Sequence, residues 1–230
     1  MIISGLQKLT LLDFPGRTAC TVFTGGCNFR CPFCHNGDLV APGEGFPAVS
    51  TEEAAAFFKK RAGLLDGVCV TGGEPLLQEG LESFLGELKG LGYQVKLDTN
   101  GAFPGRLRNL TERGLVDYVA MDLKNSPQKY GPTVGRPDLD LGPIRESVAY
   151  LLSGTVPCEF RTTVVREFHE TEDFEAMGEW ISGAQKYFLQ VFQDSERVLR
   201  PGLHACKKEE MQAFQAVAAR FVAHTEIRGL

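Results

Sequence analysis

The chain has 230 residues, 43% of them hydrophobic and 10% aromatic, which suffices for one sizeable α/β core and predicts a single domain over residues 1–230. A formal net charge of −5 argues against a nucleic-acid binder held by phosphate contacts. No apolar run is long enough to cross a bilayer, no cleavable leader is visible, and seven unevenly spaced cysteines do not form a secreted disulfide framework, so a cytoplasmic location is expected.

Residues 1–16 end in the turn signal Asp13-Phe14-Pro15-Gly16 and read as a hairpin leading into the core. An apolar strand over residues 18–24 follows, and directly after it stand Cys27, Cys31 and Cys34 on the loop 25–36. Three thiolates on one short loop can meet three corners of a cubane iron–sulfur cluster, because thiolate is the soft donor that such iron takes. A closed structural site uses four ligands, whereas a missing fourth leaves a position for a reactant. The other cysteines, Cys20, Cys69, Cys158 and Cys206, are isolated, unlike the two pairs of a zinc knuckle.

Residues 37–49 hold two prolines and three glycines and read as a loop. Ser50 and Glu53 form a capping-box pattern that opens a helix reaching about residue 62, with Ala54, Phe57 and Phe58 on one face. A buried strand over 67–71 ends in Gly72-Gly73-Glu74-Pro75. There the glycines allow close backbone approach, and their carbonyls with Glu74 can accept from an ammonium group, although the same residues could form a plain turn. Then come a helix over 79–91, a strand over 93–98 leading into Asp98-Thr99-Asn100-Gly101, a helix over 105–113, and a strand over 116–121 with the tip Asp122-Leu123-Lys124. Residues 125–143 are rich in proline and glycine and read as a long functional loop. A helix marked by Ile144, Val148, Leu151 and Leu152, a strand over 158–165, a helix over 174–184, a strand over 187–192 and a helix over 208–221 complete the alternation, with 224–228 as a short last strand. Arg161, within the sixth strand, either faces outward or meets an anion inside. The alternation predicts a parallel sheet with right-handed crossovers and ligands at the carboxyl ends of the strands.

The cysteine spacing with the following His35-Asn36 resembles that of radical S-adenosylmethionine (SAM) enzymes. The wider stretch from Thr10 to Asn36 resembles the activating proteins of anaerobic ribonucleoside-triphosphate reductase and, more distantly, pyruvate formate-lyase activase. The resemblance implies an α/β fold, an open partial (β/α)6 barrel of parallel strands. It implies a 4Fe–4S cluster on Cys27, Cys31 and Cys34, whose fourth iron takes the amino and carboxylate groups of SAM. Reductive cleavage then gives a 5′-deoxyadenosyl radical that removes hydrogen from a glycine of a partner glycyl-radical enzyme. By the same resemblance Phe33 lies near adenine or shields the cluster, and Gly72, Gly73 and Glu74 take the SAM amino group.

Asp98-Thr99-Asn100 and Asp122-Leu123-Lys124 match segments in which two aspartates and neighbouring backbone oxygens hold a monovalent cation beside the SAM carboxylate, with the lysine on the cofactor. By the same resemblance Arg161 lies on a strand that helps bind SAM, Gln190 and Phe192 could line the adenine end, and the lead-in over residues 1–16 borders the active site. The chain departs from pyruvate formate-lyase activase at Gln193-Asp194-Ser195, where that enzyme has a histidine, and this favours the reductase-activase branch. The implied partners are anaerobic ribonucleotide reductase and an electron donor of flavodoxin or ferredoxin type; the chain shows no second cysteine cluster and no supporting context for Gly229 as a target glycine. The rivals are a radical SAM enzyme acting on pyruvate formate-lyase or on a small molecule, as a deazapurine synthase does, and a non-catalytic iron–sulfur or zinc module.

Overall fold

The structure is a computed structural model that describes every residue except 44 and 47. In chain order its elements are β1 (Ile3–Thr10), β2 (Ala19–Thr24), α1 (Gly37–Val40), α2 (Thr51–Arg61), β3 (Gly67–Gly72), α3 (Leu81–Gly90), β4 (Gln94–Thr99), α4 (Pro104–Glu112), β5 (Tyr118–Asp122), α5 (Tyr130–Thr133), α6 (Gly142–Leu152), β6 (Cys158–Val164), α7 (Thr171–Trp180), β7 (Lys186–Val191), α8 (Lys208–Ala218) and β8 (His224–Arg228). The strands form one sheet in sequence order, β1 to β8. β1 runs antiparallel to β2, and every later pair is parallel. β1 and β8 are the two edges, so the sheet curls into a partial barrel that stays open.

The central strands are apolar on the face that meets the helices. In β4, Val95 and Leu97 are fully buried, and in β5 Val119 and Met121 are too. β5 reads as a near-continuous apolar run, as a strand covered on both faces does, whereas β4 alternates. The opposite face carries charge: Lys96 and Asp98 alternate with Val95 and Leu97 and point into the barrel.

The helices start where local chemistry dictates. Ser50 Oγ accepts from the Glu53 amide at 3.1 Å, half of the expected capping box. α4 begins on Pro104, whose missing N–H costs nothing at a first turn. α7 begins at Thr171, three residues before the expected start, because the Glu170 amide donates to Asp173 Oδ2 at 2.9 Å and closes a cap there.

Two segments expected to be loops contain short helices. α1 lies within 37–49, buries Leu39 and Val40, and its end carbonyls receive the Gly26 and Cys27 amides at 2.7 and 3.1 Å. α5 lies within 125–143, where Asn125, Tyr130 and Val134 are fully buried. Asn125 Nδ2 donates to Thr133 Oγ1 and to the Phe168 carbonyl, both at 2.9 Å, and Ser126 Oγ donates to Asp173 Oδ1 at 2.7 Å. The first half of this stretch is therefore packed into the chain's own core.

Phe58 anchors α2: it meets Phe57, Phe84 and Tyr93 edge-on at 5.4, 5.8 and 6.0 Å, and is 2% exposed. Phe58→Ala should cost about 3–5 kcal/mol through lost burial and the cavity left behind. Urea unfolding of the metal-free protein measures it, and a loss below about 1 kcal/mol would show that this cluster does not carry the α2 face.

Candidate functional site

The carboxyl ends of the parallel strands open into a cavity of about 430 Å³. The loop after β2 crosses this opening, and glycines in the turn after β3 let it pack close. Gly72 ends β3 at φ +119°, and a Cβ there would stand 2.3 Å from the Thr24 amide nitrogen. A Cβ on Gly73 would stand 2.0 Å from the Gly26 carbonyl oxygen. The Glu74 amide donates to that same oxygen at 2.8 Å, and Gln78 Nε2 donates to the Gly25 carbonyl at 2.6 Å. Farther along, the Arg30 amide donates to the Val134 carbonyl and the Arg200 amide to the Pro32 carbonyl, each at 2.9 Å. The loop is thus fastened from four directions.

Cys27, Cys31 and Cys34 all line the cavity, and none is in a disulfide. Burial pushes the Cys31 thiol up to about 12 and raises those of Cys27 and Cys34, with Lys124 acting in the opposite sense on all three. Cys27 Sγ accepts from the Phe29 amide at 3.4 Å, and Asn100 Nδ2 stands 3.9 Å from it. Among the described residues, no three His, Cys, Asp or Glu side chains are grouped about a single ion. Three free thiols around one cavity are the soft donor set that the separate corners of an iron–sulfur cluster take.

Phe33, Gly72, Gly73, Asp98, Thr99, Asn100, Asp122, Lys124, Arg161 and Gln190 also line the cavity, as the sequence pattern anticipates. Phe33 is 3% exposed and packs on Phe168 at 5.5 Å. The Gly72 carbonyl receives Asn36 Nδ2 at 3.4 Å.

Two expectations are corrected and one is narrowed. Glu74 does not line the cavity, because its fully buried carboxylate is already occupied. Oε1 accepts from the Leu76 amide at 3.0 Å and from Thr99 Oγ1 at 2.8 Å, and Oε2 accepts from the Asn100 amide at 2.7 Å. Burial lifts its pKa to about 7 against these donors. Glu74 therefore ties the end of β3 to the end of β4. Of the lead-in over residues 1–16 only the start reaches the site; the Asp13-to-Gly16 turn lies at the other end of the barrel, because β1 is antiparallel: Thr10 pairs with Ala19, whereas Ile3 pairs with Thr24. It is the start of β1 that touches the cysteine loop, through the Gly25 amide donating to the Ile2 carbonyl at 3.4 Å. Phe192 lies outside the cavity, 1% exposed, with the cavity-lining His35 edge-on to it at 5.6 Å.

Arg161 resolves inward and meets two anions. Its Nε donates to Asp122 Oδ1 at 3.0 Å and its Nη1 to Asp98 Oδ2 at 3.1 Å. Lys124 Nζ donates to Asp122 Oδ2 at 3.0 Å, and Lys96 Nζ pairs with Asp98 Oδ1. Burial is the largest single influence and works to raise both carboxyl pKa values, but Arg161 together with Lys96 at Asp98 and with Lys124 at Asp122 outweighs it, and both stay below the usual carboxylate range. Sequence reasoning missed Lys96, although a lysine two residues before Asp98 in a buried strand was a visible signal. It also missed Asn28, whose Oδ1 accepts from Asn100 Nδ2 at 2.8 Å, and the cavity-lining Thr163 and Arg228.

With fold and site in view, the chain belongs to the radical SAM superfamily, which matches residues 21–181. It is a radical SAM enzyme, and this family works with a 4Fe–4S cluster and SAM. Over 99% of its length it is 28% identical to a Methanocaldococcus jannaschii protein provisionally named a glycyl-radical enzyme activating enzyme, and it spans 95% of that protein. It is 31% identical over 152 residues to the pyruvate formate-lyase-activating enzyme of Staphylococcus aureus (59% of this chain, 58% of that one). It is 37% identical over 97 residues to the 7-carboxy-7-deazaguanine synthase of Hyperthermus butylicus (42% and 40%). Among solved structures, Streptococcus suis SuiB bound to S-adenosylmethionine superposes with a TM-score of 0.67 at 14% identity, over 90% of this chain and 49% of that one, a likeness of fold. No helix among the described residues is long and apolar enough to cross a membrane.

Glu74→Gln keeps the shape but turns an amide NH2 toward backbone donors. It should destabilise the metal-free protein by about 1–3 kcal/mol, the cost of leaving buried donors unmatched. Denaturant unfolding reads this, and an unchanged midpoint would mean that Glu74 does not hold the two strand ends together.

Proposed function

We propose that the chain, acting as one radical SAM domain, activates a glycyl-radical enzyme. SAM is cleaved reductively and the 5′-deoxyadenosyl radical takes hydrogen from a glycine of that partner. The observation that carries this reading is the near full-length likeness to the Methanocaldococcus jannaschii protein. For the partner we favour anaerobic ribonucleoside-triphosphate reductase, supported by the pattern from Thr10 to Asn36 and by Gln193-Asp194-Ser195. The electron would come from a flavodoxin or ferredoxin type donor.

Cys27, Cys31 and Cys34 would hold three irons of the cluster, and their donor set fits it: three free thiols around one cavity. When bound, the cluster supplies the electron for SAM cleavage. The chain's own residues do the positioning. The Gly72 and Gly73 carbonyls would face the SAM amino group, and Lys124 with Arg161 would attract its carboxylate. Asn100 would steady Cys27 by way of Asn28, and Phe33 with Gln190 would border the adenosine. The buried walls of the cavity keep water from the radical.

A small-molecule reaction is the second reading, favoured by the local likeness to the deazaguanine synthase. One experiment separates the two: electron paramagnetic resonance of the anaerobically reconstituted protein with SAM, reductant and the host's anaerobic ribonucleotide reductase. The expected result is a glycine-centred radical on the reductase. It should vanish in Cys27→Ala, Cys31→Ala and Cys34→Ala, and persist in Cys206→Ala, which lies off the cavity. 5′-Deoxyadenosine without a glycyl radical would overturn the partner and direct attention to a small substrate.

A further inference from the structure

The resemblance that places a monovalent cation between Asp98 and Asp122 meets an obstacle in this chain. Each of the four carboxylate oxygens already has a protein cation. Asp98 Oδ1 has Lys96, Asp98 Oδ2 has Arg161 Nη1 at 3.1 Å, Asp122 Oδ1 has Arg161 Nη2 at 2.9 Å, and Asp122 Oδ2 has Lys124 at 3.0 Å. An alkali ion needs several hard oxygens at close range, and these are the oxygens it would use. The residues present therefore do not fit that ion.

Lys96 is the unusual member. It is 1% exposed, sits two residues before Asp98 on the same inward face of β4, and besides Asp98 meets Cys69 Sγ at 3.9 Å. A buried ammonium is costly unless paired, and its partner here is a carboxylate that lines the cavity. Burial is the largest influence and favours the neutral amine, but the attraction and hydrogen bond to Asp98, with Cys69 adding to them, together outweigh it and the Lys96 pKa is raised. Three cations against two carboxylates leave one positive charge over, and Lys124 and Arg161 present it to the cavity. A ligand carboxylate would complete the balance without any added ion.

We propose that Lys96, with Arg161, replaces the monovalent cation as the counter-charge of the Asp98–Asp122 pair, so that this enzyme binds SAM independently of sodium and potassium. The proposal rests on the SAM reading of the cavity but not on the glycyl-radical partner. Lys96 acts through Asp98 and is a positioning residue.

The test uses the cluster-loaded protein without any partner, at constant ionic strength, with choline, sodium or potassium as the salt. Wild-type affinity for SAM should be the same in all three. Lys96→Met removes the charge at nearly constant volume and frees Asp98 Oδ1. In that variant SAM affinity should fall in choline and recover roughly tenfold, saturably, on adding potassium. Sodium NMR with SAM present gives a readout independent of turnover: potassium-displaceable line broadening should appear in Lys96→Met and be absent from wild type. A saturable potassium dependence of SAM binding in wild type, or displaceable sodium bound to it, overturns the proposal even if the variant does not fold. A loaded wild type that binds no SAM in any salt overturns the cavity reading itself, and the proposal with it. Loss of the glycyl-radical assignment alone would change none of these results.

Discussion

The Arg161 guanidinium holds the working end of this barrel together. It reaches from β6 to Asp122 of β5 and on to Asp98 of β4, so one planar fork fastens three adjacent parallel strands. Buried charges are tolerated only when matched, so these strands have little freedom in register. Asp122 pairs with Arg161 across the ladder, and a slip of one residue would turn the arginine out toward the helices and leave two carboxylates unpaired inside. With the register set, the ends of β3, β4 and β5 lie at one level. Gly72, Asp98 and Asp122 then open onto the same cavity.

The cysteine loop depends on that level surface. It is too short to have a core of its own, and it gains order from what surrounds it: Leu39, Val40, Glu74, Val134 and Arg200 each make a backbone contact with it. The contact with Gly73 is so close that no side chain fits there. A loop held this way presents its thiols in place before any metal arrives, which lowers the ordering cost of loading it. Glu74 serves the same end from beneath, joining the turn after β3 to the Asn100 amide, while the Asn100 side chain reaches Asn28 and Cys27.

What the sequence disclosed and what it hid follow from the range of the interactions. Strands buried on both sides appear as apolar runs, and the cysteines, the two glycines and both aspartate tips are local patterns. The fold class and the cysteine, glycine and aspartate part of the cavity lining were therefore legible. Glu74 was misjudged because its partners Thr99 and Asn100 lie some 25 residues farther along, where no local pattern connects them. Which end of the 1–16 lead-in meets the site is not legible, because the direction of β1 depends on its pairing with β2. Residues 125–143 read as an open loop from proline and glycine content, yet Tyr130 and Val134 are core residues whose partners come from elsewhere in the chain. The charge of Lys96 was in plain view, but only the ladder shows that it faces inward beside Asp98.

The central claim is that three thiols at the strand ends hold a cluster whose remaining iron meets SAM in this cavity. Electron–nuclear double resonance on the reduced, reconstituted protein with SAM labelled by nitrogen-15 at its amino group tests it most directly. The account predicts a resolved coupling between the cluster spin and the label. A fully loaded cluster whose spectrum is indifferent to SAM would contradict it.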